Sequence, residues 1–300
     1  MPTLLHVTDT HLGVGGWYRG APPGWTRADD HIRALRIALA PARRGEVDGV
    51  IHSGDLFDRS EPPPAAVAAA RDLLAEVGRR VPVVVIPGNH DRRGIAGTVG
   101  GLSGVTVCDT PAVVTLAGVK LALLPWLPEA QAWVDSATRL ADAGADLWVC
   151  HAAFAGARVP GFTFKEGYPK ETLGARAIPR GVKHVLCGHI HHRQVLRLGD
   201  AHVVMAGSAE RTSLVERDDT KGVVHWELER EIVWSFRDLP SRPMRRVDHE
   251  DDLDRVGTEQ LVHLGPEART PEMEAEVLRR GAWVHPWKPP RTQTSLFRRA

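Results

Sequence analysis

Short apolar runs broken by polar clusters recur through the first two thirds of the chain. Residues 4–7, 47–52, 81–86, 147–150 and 184–187 are too short for helices and rich in Val, Leu and Ile, so each reads as a buried strand. Residues 105–107, 113–116 and 119–124 add shorter strands. Residues 28–42 carry helical apolar spacing through Ile32, Leu35, Ile37 and Leu39. An Ala-rich helix over 62–79 opens at prolines, which suit a first turn, and 129–143 reads as another helix. Residues 195–198, 202–206, 223–228 and 232–236 read as a closing antiparallel series. Strand and helix alternate early and strands dominate late, which predicts an α/β fold: two sheets covered by helices in an αββα sandwich.

The pattern loosens after Leu239, with Pro240 and Pro243 marking a boundary. The expected organisation is a main unit over 1–238, a short C-terminal appendage over 239–282 with a helix near 271–280, and an extended tail over 283–300. From Val277 onward there is no acidic residue, and Pro286, Pro289 and Pro290 interrupt the chain.

Composition narrows the class. With 300 residues, 43% hydrophobic and 25% charged, the chain suits one large globular domain plus an appendage. A net charge of +1 excludes chain-wide attraction to nucleic acid, so any such affinity must come from local patches or bound metal. Cys150 and Cys187 lie inside apolar runs and read as core, which argues against a disulfide framework and for a reducing, cytoplasmic setting. No charged segment precedes a long apolar stretch, and no run approaches the length of a membrane span, so neither a leader nor a membrane partner is expected.

The chemistry lies in polar clusters at or just past the ends of the apolar runs. They are Asp9-Thr10-His11, Gly54-Asp55, Gly88-Asn89-His90-Asp91, His151 and Gly188-His189-Ile190-His191. Two carboxylates, one amide and four imidazoles form a donor set for divalent ions that activate water beside a phosphate. Asp9 and His11, two apart after a strand, are expected to project the same way. Gly54 and Gly88 let the backbone turn sharply. His52 and His184 sit within apolar runs and read as structural, and His192 is expected to point away from His191.

The ordered set resembles the calcineurin-like metallophosphoesterase superfamily. Within it, His6-Val7-Thr8-Asp9-Thr10-His11-Leu12-Gly13, Gly54-Asp55-Leu56-Phe57-Asp58 and Gly188-His189-Ile190-His191 resemble the Mre11/SbcD-type DNA exonuclease branch. The stretch Ala206-Gly207-Ser208-Ala209-Glu210-Arg211, then Glu216 and Lys221-Gly222, resembles it too. The resemblance implies a metallophosphoesterase domain with two ions. Asp9, His11, Asp55 and His191 would hold one, and Asp55, Asn89, His151 and His189 the other. His90 would act on the phosphate or leaving oxygen without binding metal, and Asp91 would orient its loop. Manganese (Mn2+) is the usual activating ion of the branch, with Mg2+, Zn2+ and Fe2+ as alternatives. Asp58 would either orient His90 or cap the next turn.

DNA is the expected substrate, cleaved by exonuclease or single-strand endonuclease action. Beside the resemblance, the loop over 12–28 holds Trp17, Tyr18, Arg19 and Arg27 without an acidic residue, and Lys165 stands among aromatics over 159–170. Cations interleaved with aromatics suit a phosphate backbone and unstacked bases. Arg92 and Arg93 adjoin the Asn89-His90-Asp91 turn as phosphate contacts. The alternative is a phosphodiesterase or phosphatase acting on small molecules or phosphoproteins, since such a fold serves many substrates. Near the end, Gln293-Thr294-Ser295-Leu296-Phe297 resembles the bacterial sliding-clamp-binding pentapeptide, in which Gln293, Ser295, Leu296 and Phe297 carry the pattern. Further partner classes are an SbcC/Rad50-like ATPase, which the short stretch after 238 puts in question, and a second copy of the chain as a homodimer.

Overall fold

The computed structural model describes residues 1–91 and 94–287. Two six-stranded sheets carry the architecture. In chain order, β1 is Thr3–Val7, β2 Gly49–His52, β3 Val83–Val85, β4 Val105–Val107, β5 Ala112–Leu116, β6 Val119–Leu124 and β7 Leu147–His151. Then come β8 Arg158–Val159, β9 Phe162–Thr163, β10 His184–Gly188, β11 Gln194–Leu198, β12 Ala201–Met205, β13 Gly222–Leu228 and β14 Ile232–Asp238. The first sheet runs β14-β13-β1-β2-β3-β4 and the second β11-β12-β10-β7-β6-β5.

Each sheet has a parallel centre. Strands β1 to β4 pair in parallel, as do β6, β7, β10 and β12. The late strands do not form one antiparallel series. They make two hairpins, β11–β12 on the second sheet and β13–β14 on the first, where β13 pairs antiparallel with β1. Local alternation predicts a hairpin but not the sheet it joins, because that depends on pairing partners far away in sequence.

Side-chain alternation explains the layers. Leu4, Ile51 and Val84 of the first sheet meet Leu121, Leu147, Val149, Leu186 and Val204 of the second in a core between the sheets. Their sequence neighbours Leu5, Val7, Val50, Val83 and Val85 face the opposite way, against helices. Those helices are α1 (Arg27–Ala38), α2 (Ala40–Arg44), α3 (Pro64–Gly78) and α4 (Ile95–Val99). The buried face of α3, Ala66, Ala70, Leu73, Leu74 and Val77, follows the 3.6-residue period. The outer face of the second sheet packs Ala122, Cys150, Cys187 and Val203 against Trp133 and Ala137 of α5 (Ala130–Leu140). This is the expected αββα sandwich. The helix expected over 28–42 breaks after Ala38, because Pro41 has no N–H for the preceding turn and its ring crowds that carbonyl.

The chain divides into two compact units. One comprises Met1–Val14 and Arg27–Ser241 and holds both large sheets. The other begins again at Arg242 and also takes in Gly15–Thr26. It contains parallel strands β15 (Met244–Val247), β16 (Leu261–Leu264) and β17 (Trp283–Val284), with helix α6 (Pro271–Arg279). Thr270 caps α6 by accepting from the Met273 N–H at 3.2 Å. The 15–26 segment is tied in by reciprocal backbone hydrogen bonds between Arg19 and Val284, 2.8 and 2.9 Å. It therefore belongs with a sheet more than two hundred residues away in sequence. Trp283–Val284, expected in the extended tail, instead pairs with β16 as a strand. Among the described residues, no helix is long and apolar enough to cross a membrane.

Candidate metal centre

The seven expected ligands sit at or just past the carboxyl ends of β1, β2, β3, β7 and β10, drawn from both sheets. Strand alternation does not aim the first of them. Asp9 (φ 49°) and His11 (φ 45°) both adopt the left-handed conformation, as do Asp55 (φ 53°) and His189 (φ 88°). Only two other non-glycine residues among those described, Ala117 and Glu259, have positive φ. Strained backbone is thus concentrated at this crest, where the surrounding hydrogen bonds hold it. Asp9 N–H donates to the Gly54 carbonyl and His11 N–H to the Asp55 carbonyl, both at 3.0 Å, lacing the first two loops together.

The donors converge. His11 Nε2 lies 3.0 Å from His191 Nε2 and 3.7 Å from Asp55 Oδ2, and His191 Nε2 lies 3.8 Å from Asp9 Oδ1. On the other side, His151 Nε2 is 3.3 Å from Asp55 Oδ2 and 3.1 Å from Asn89 Oδ1, which is 2.8 Å from His189 Nδ1. Asp55 therefore faces both groups. Asp9, His11 and His191 form one compact donor cluster, and Asp9, Asp55 and His151 another. A third, His11, Asp58 and His90, adjoins them.

Three glycines make room for this approach. A β-carbon on Gly54 would stand 2.2 Å from His151 Nδ1, one on Gly88 2.1 Å from Asp55 Oδ1, and one on Gly188 2.3 Å from Thr8 Oγ1. Each lies directly before or within a ligand cluster, so glycine is a steric requirement there. Imidazole, carboxylate and amide oxygen form a mixed N/O donor set that fits first-row divalent ions, and the donor atoms already face one another.

Outer contacts orient the rings. His151 Nδ1–H donates to the Ser53 carbonyl at 2.9 Å, which leaves Nε2 facing Asp55 and Asn89. His191 Nδ1–H donates to Glu216 Oε1 at 3.0 Å. His31, on α1, donates to the Thr10 carbonyl at 2.9 Å and steadies the first loop. His90 is exposed, and its Nδ1–H donates to the Asp58 carbonyl at 2.7 Å, leaving Nε2 for another partner. The Asp58 carboxylate is turned elsewhere, 3.5 Å from His11 Nδ1. Asp58 thus addresses His90 through its backbone and His11 through its side chain. Asp91 is buried, and its carboxylate accepts from Leu56 N–H (2.6 Å), Phe57 N–H (3.1 Å) and Gly88 N–H (2.7 Å), tying two ligand loops together.

Charge follows this geometry in the metal-free protein. Burial opposes protonation of His151, but the Asp55 charge and hydrogen bond prevail and raise its pKa to about 10. Burial opposes ionisation of Asp55 too, yet His151 and His11 hold it well below the usual carboxylate range. Burial, then the His151 charge, lowers His189 to about 4. Burial, then the Asp55 charge, raises Asp91 to about 6.

The residues expected to touch DNA scatter. Trp17 is 55% exposed, whereas Tyr18 is 7% exposed, with its hydroxyl 2.8 Å from His263 Nε2. Arg19 is ion-paired to Glu274 at 2.5 Å. All three lie in the second unit. Arg27 is 3% exposed and paired with Asp30 at 2.6 Å, at the start of α1. Tyr18 and Arg27 are thus corrected from surface contacts to internal struts: a cationic, aromatic stretch serves packing as readily as binding. Lys165 is exposed beside the β8–β9 hairpin. Arg92, Arg93 and the pentapeptide residues Gln293, Ser295, Leu296 and Phe297 lie outside the described residues. Sequence reading missed Ser53 and His31, whose contacts run through backbone carbonyls and leave no pattern. Glu216 and Lys221 were visible as a motif but had no role.

Comparison with known proteins agrees with the fold. Residues 2–193 match the calcineurin-like phosphoesterase family. DNA double-strand break repair protein Mre11 of Sulfurisphaera tokodaii is 38% identical over 91 residues, 29% of this chain and 22% of that protein. Its counterpart from Saccharolobus solfataricus is 24% identical over 251 residues, 80% of this chain and 62% of that one. The chain spans from about a fifth to three fifths of the length of these curated relatives. A solved dimetal phosphatase from Danio rerio shares the fold, with a TM-score of 0.54 at 13% identity over 79% of this chain and 97% of that one. The match over residues 2–193 embraces every proposed ligand, and the chain belongs to the calcineurin-like phosphoesterase family of metal-dependent hydrolases.

Proposed function

We propose that this protein is a DNA nuclease that hydrolyses phosphodiester bonds with two divalent ions in DNA repair or processing, manganese being the first to test. The observation that carries the reading is Asp55, whose carboxylate faces both His11 (3.7 Å) and His151 (3.3 Å) between two sets of donors. DNA as substrate is supported by the similarity to Mre11 proteins that are named for double-strand break repair.

In this reading Asp9, His11, Asp55 and His191 hold one ion, and Asp55, Asn89, His151 and His189 the other. The ions, when bound, supply positive charge beside the phosphate and a nucleophile at neutral pH. The chain's own residues do the positioning. Asp91 locks the Asp55 and Asn89 loops in register through three backbone N–H groups. His90, exposed and anchored through Nδ1–H, presents Nε2 to a phosphate oxygen or leaving group, to which the imidazolium form donates its second proton. Trp17 and Lys165 remain exposed for contact with DNA. The pentapeptide at 293–297 would tether the enzyme to a sliding clamp.

The test is a labelled oligonucleotide, a cyclic nucleotide and a chromogenic phosphodiester, each assayed across a metal series. Manganese-dependent loss of the oligonucleotide is expected. Turnover of the small substrates alone would replace the reading with that of a small-molecule phosphodiesterase. Deleting residues 292–300 should abolish clamp binding while short free DNA is still cut; unchanged clamp affinity would remove the tether.

A further inference from the structure

Beneath His191, the Glu216 carboxylate belongs to a buried charged cluster whose other members have no role in the chemistry described so far. Lys221 is 1% exposed, and its Nζ donates to Glu216 Oε2 (2.5 Å) and Ser208 Oγ (2.8 Å), with the His191 carbonyl at 3.3 Å and Asp219 Oδ2 at 3.5 Å. Glu216 divides its two oxygens. Oε2 takes Lys221, Ser208 Oγ (3.2 Å) and the Thr212 N–H (3.3 Å), while Oε1 takes His191 Nδ1–H (3.0 Å) and the Thr212 hydroxyl. Arg211 secures the turn that presents Glu216, donating to the Glu216 carbonyl at 3.1 Å and the Asp219 carbonyl at 2.9 Å.

We propose that Glu216 and Lys221 are positioning residues for one side of the metal centre: Lys221 fixes the Glu216 carboxylate, and Glu216 fixes the tautomer and ring plane of His191 so that Nε2 faces Asp9 and His11. The inference rests on the divalent-metal reading of the site and not on DNA as substrate. Its chemistry is that of a carboxylate behind a ligating imidazole, which anchors the far nitrogen and raises the basicity of the near one. The burial is informative. An ammonium withdrawn from water needs nearly all its donors satisfied, and here its acceptors also include the carbonyl of the ligand it serves. A chain that needed only to fill this space could do so with an apolar side chain.

The other side of the centre is built differently. His151 is anchored by the Ser53 carbonyl, a neutral backbone group, and His189 Nδ1 faces Asn89. The carboxylate anchor therefore distinguishes the ion served by Asp9, His11 and His191 from its neighbour.

The experiment is a calorimetric titration of metal-free protein with Mn2+, without DNA, on wild type, Glu216→Gln, Lys221→Met, the double variant Glu216→Gln/Lys221→Met, and His189→Ala. Wild type should show two binding steps. Glu216→Gln should weaken one of them by about 10- to 100-fold and leave the other unchanged. His189→Ala should weaken the step that Glu216→Gln spares. The double variant, which removes both buried charges, guards against misfolding; it should melt cooperatively and show the same selective loss. Two unaltered steps in a cooperatively folded Glu216→Gln or double variant would overturn the proposal. Equal weakening of both steps would also overturn it. Absence of binding in wild type would instead sink the metal reading itself.

Discussion

Asp55 and His151 face each other at 3.3 Å inside a site where the histidine is fully buried. In metal-free protein the Asp55 charge keeps His151 protonated to about pH 10, against the burial that would discharge it. Ligation requires the neutral ring. Metal loading at pH 7 should therefore release a proton, and affinity should weaken as pH falls, by up to about tenfold per unit for each proton displaced. Calorimetry in buffers of different ionisation enthalpy measures the release; a heat independent of buffer would contradict it.

Asp91→Ala should cost stability as well as activity. Its carboxylate satisfies the N–H groups of Leu56, Phe57 and Gly88, all buried. Leaving buried donors unpaired costs about 1–3 kcal/mol each, partly recovered if water enters. A loss of at least about 2 kcal/mol in urea unfolding is expected. A variant as stable as wild type would show that the loops hold together without this residue.

Acid should destabilise the metal-free fold well above the carboxylate range. Burial lowers His6 and His31 to about 3 and His52 to about 4, from an ordinary 6.5. The unfolded chain takes up these protons below about pH 6.5 while the folded chain does not. Their contribution is complete above that pH and is lost as pH falls toward 4 and 3. Three such groups give a slope of up to about 4 kcal/mol per pH unit. Urea midpoints at pH 7, 6 and 5, with chelator present, should fall steadily; a flat series would contradict the burial argument.

His90→Ala should separate chemistry from metal binding. The ring is exposed, donates to the Asp58 carbonyl and is not among the proposed ligands, so its loss should leave stability and metal content intact. Hydrolysis should drop by about 10²- to 10⁴-fold, the usual range for a general acid or base. Unchanged turnover would remove the role.

Gly88→Ala should damage the centre without unfolding the protein. The added β-carbon would meet Asp55 Oδ1 at 2.1 Å and the Asp55 backbone nitrogen at 2.5 Å, so the Asp55 carboxylate and its loop must move. A displacement of about 1 Å in a reacting group can cost about 10²-fold in rate. Metal affinity and turnover should both fall in a variant that still melts cooperatively, and wild-type values would show that the loop adapts.

The strands and the donor clusters were legible because both are local. A buried strand needs a short apolar run, and a ligand at its end needs only the right residue beside a glycine, as at Gly54-Asp55 and Gly188-His189. Asp91 entered only through the family resemblance of its turn. Less visible were Ser53 and His31, which act through backbone carbonyls that any residue supplies. The break in the first helix was written in Pro41, whose effect competes with an otherwise helical apolar period.

By itself, then, the order of apolar runs and polar clusters determined the sandwich and its family, since periodicity and residue chemistry are properties of neighbours along the chain. Tertiary structure alone decided that Asp9 and His11 are aimed by left-handed backbone and that Arg27 is buried against Asp30. It also placed 15–26 with strands near the other end of the chain and set Glu216 and Lys221 beneath His191. These depend on which distant segments share a desolvated space, and in that space a charged side chain must find its partner whatever their separation in sequence.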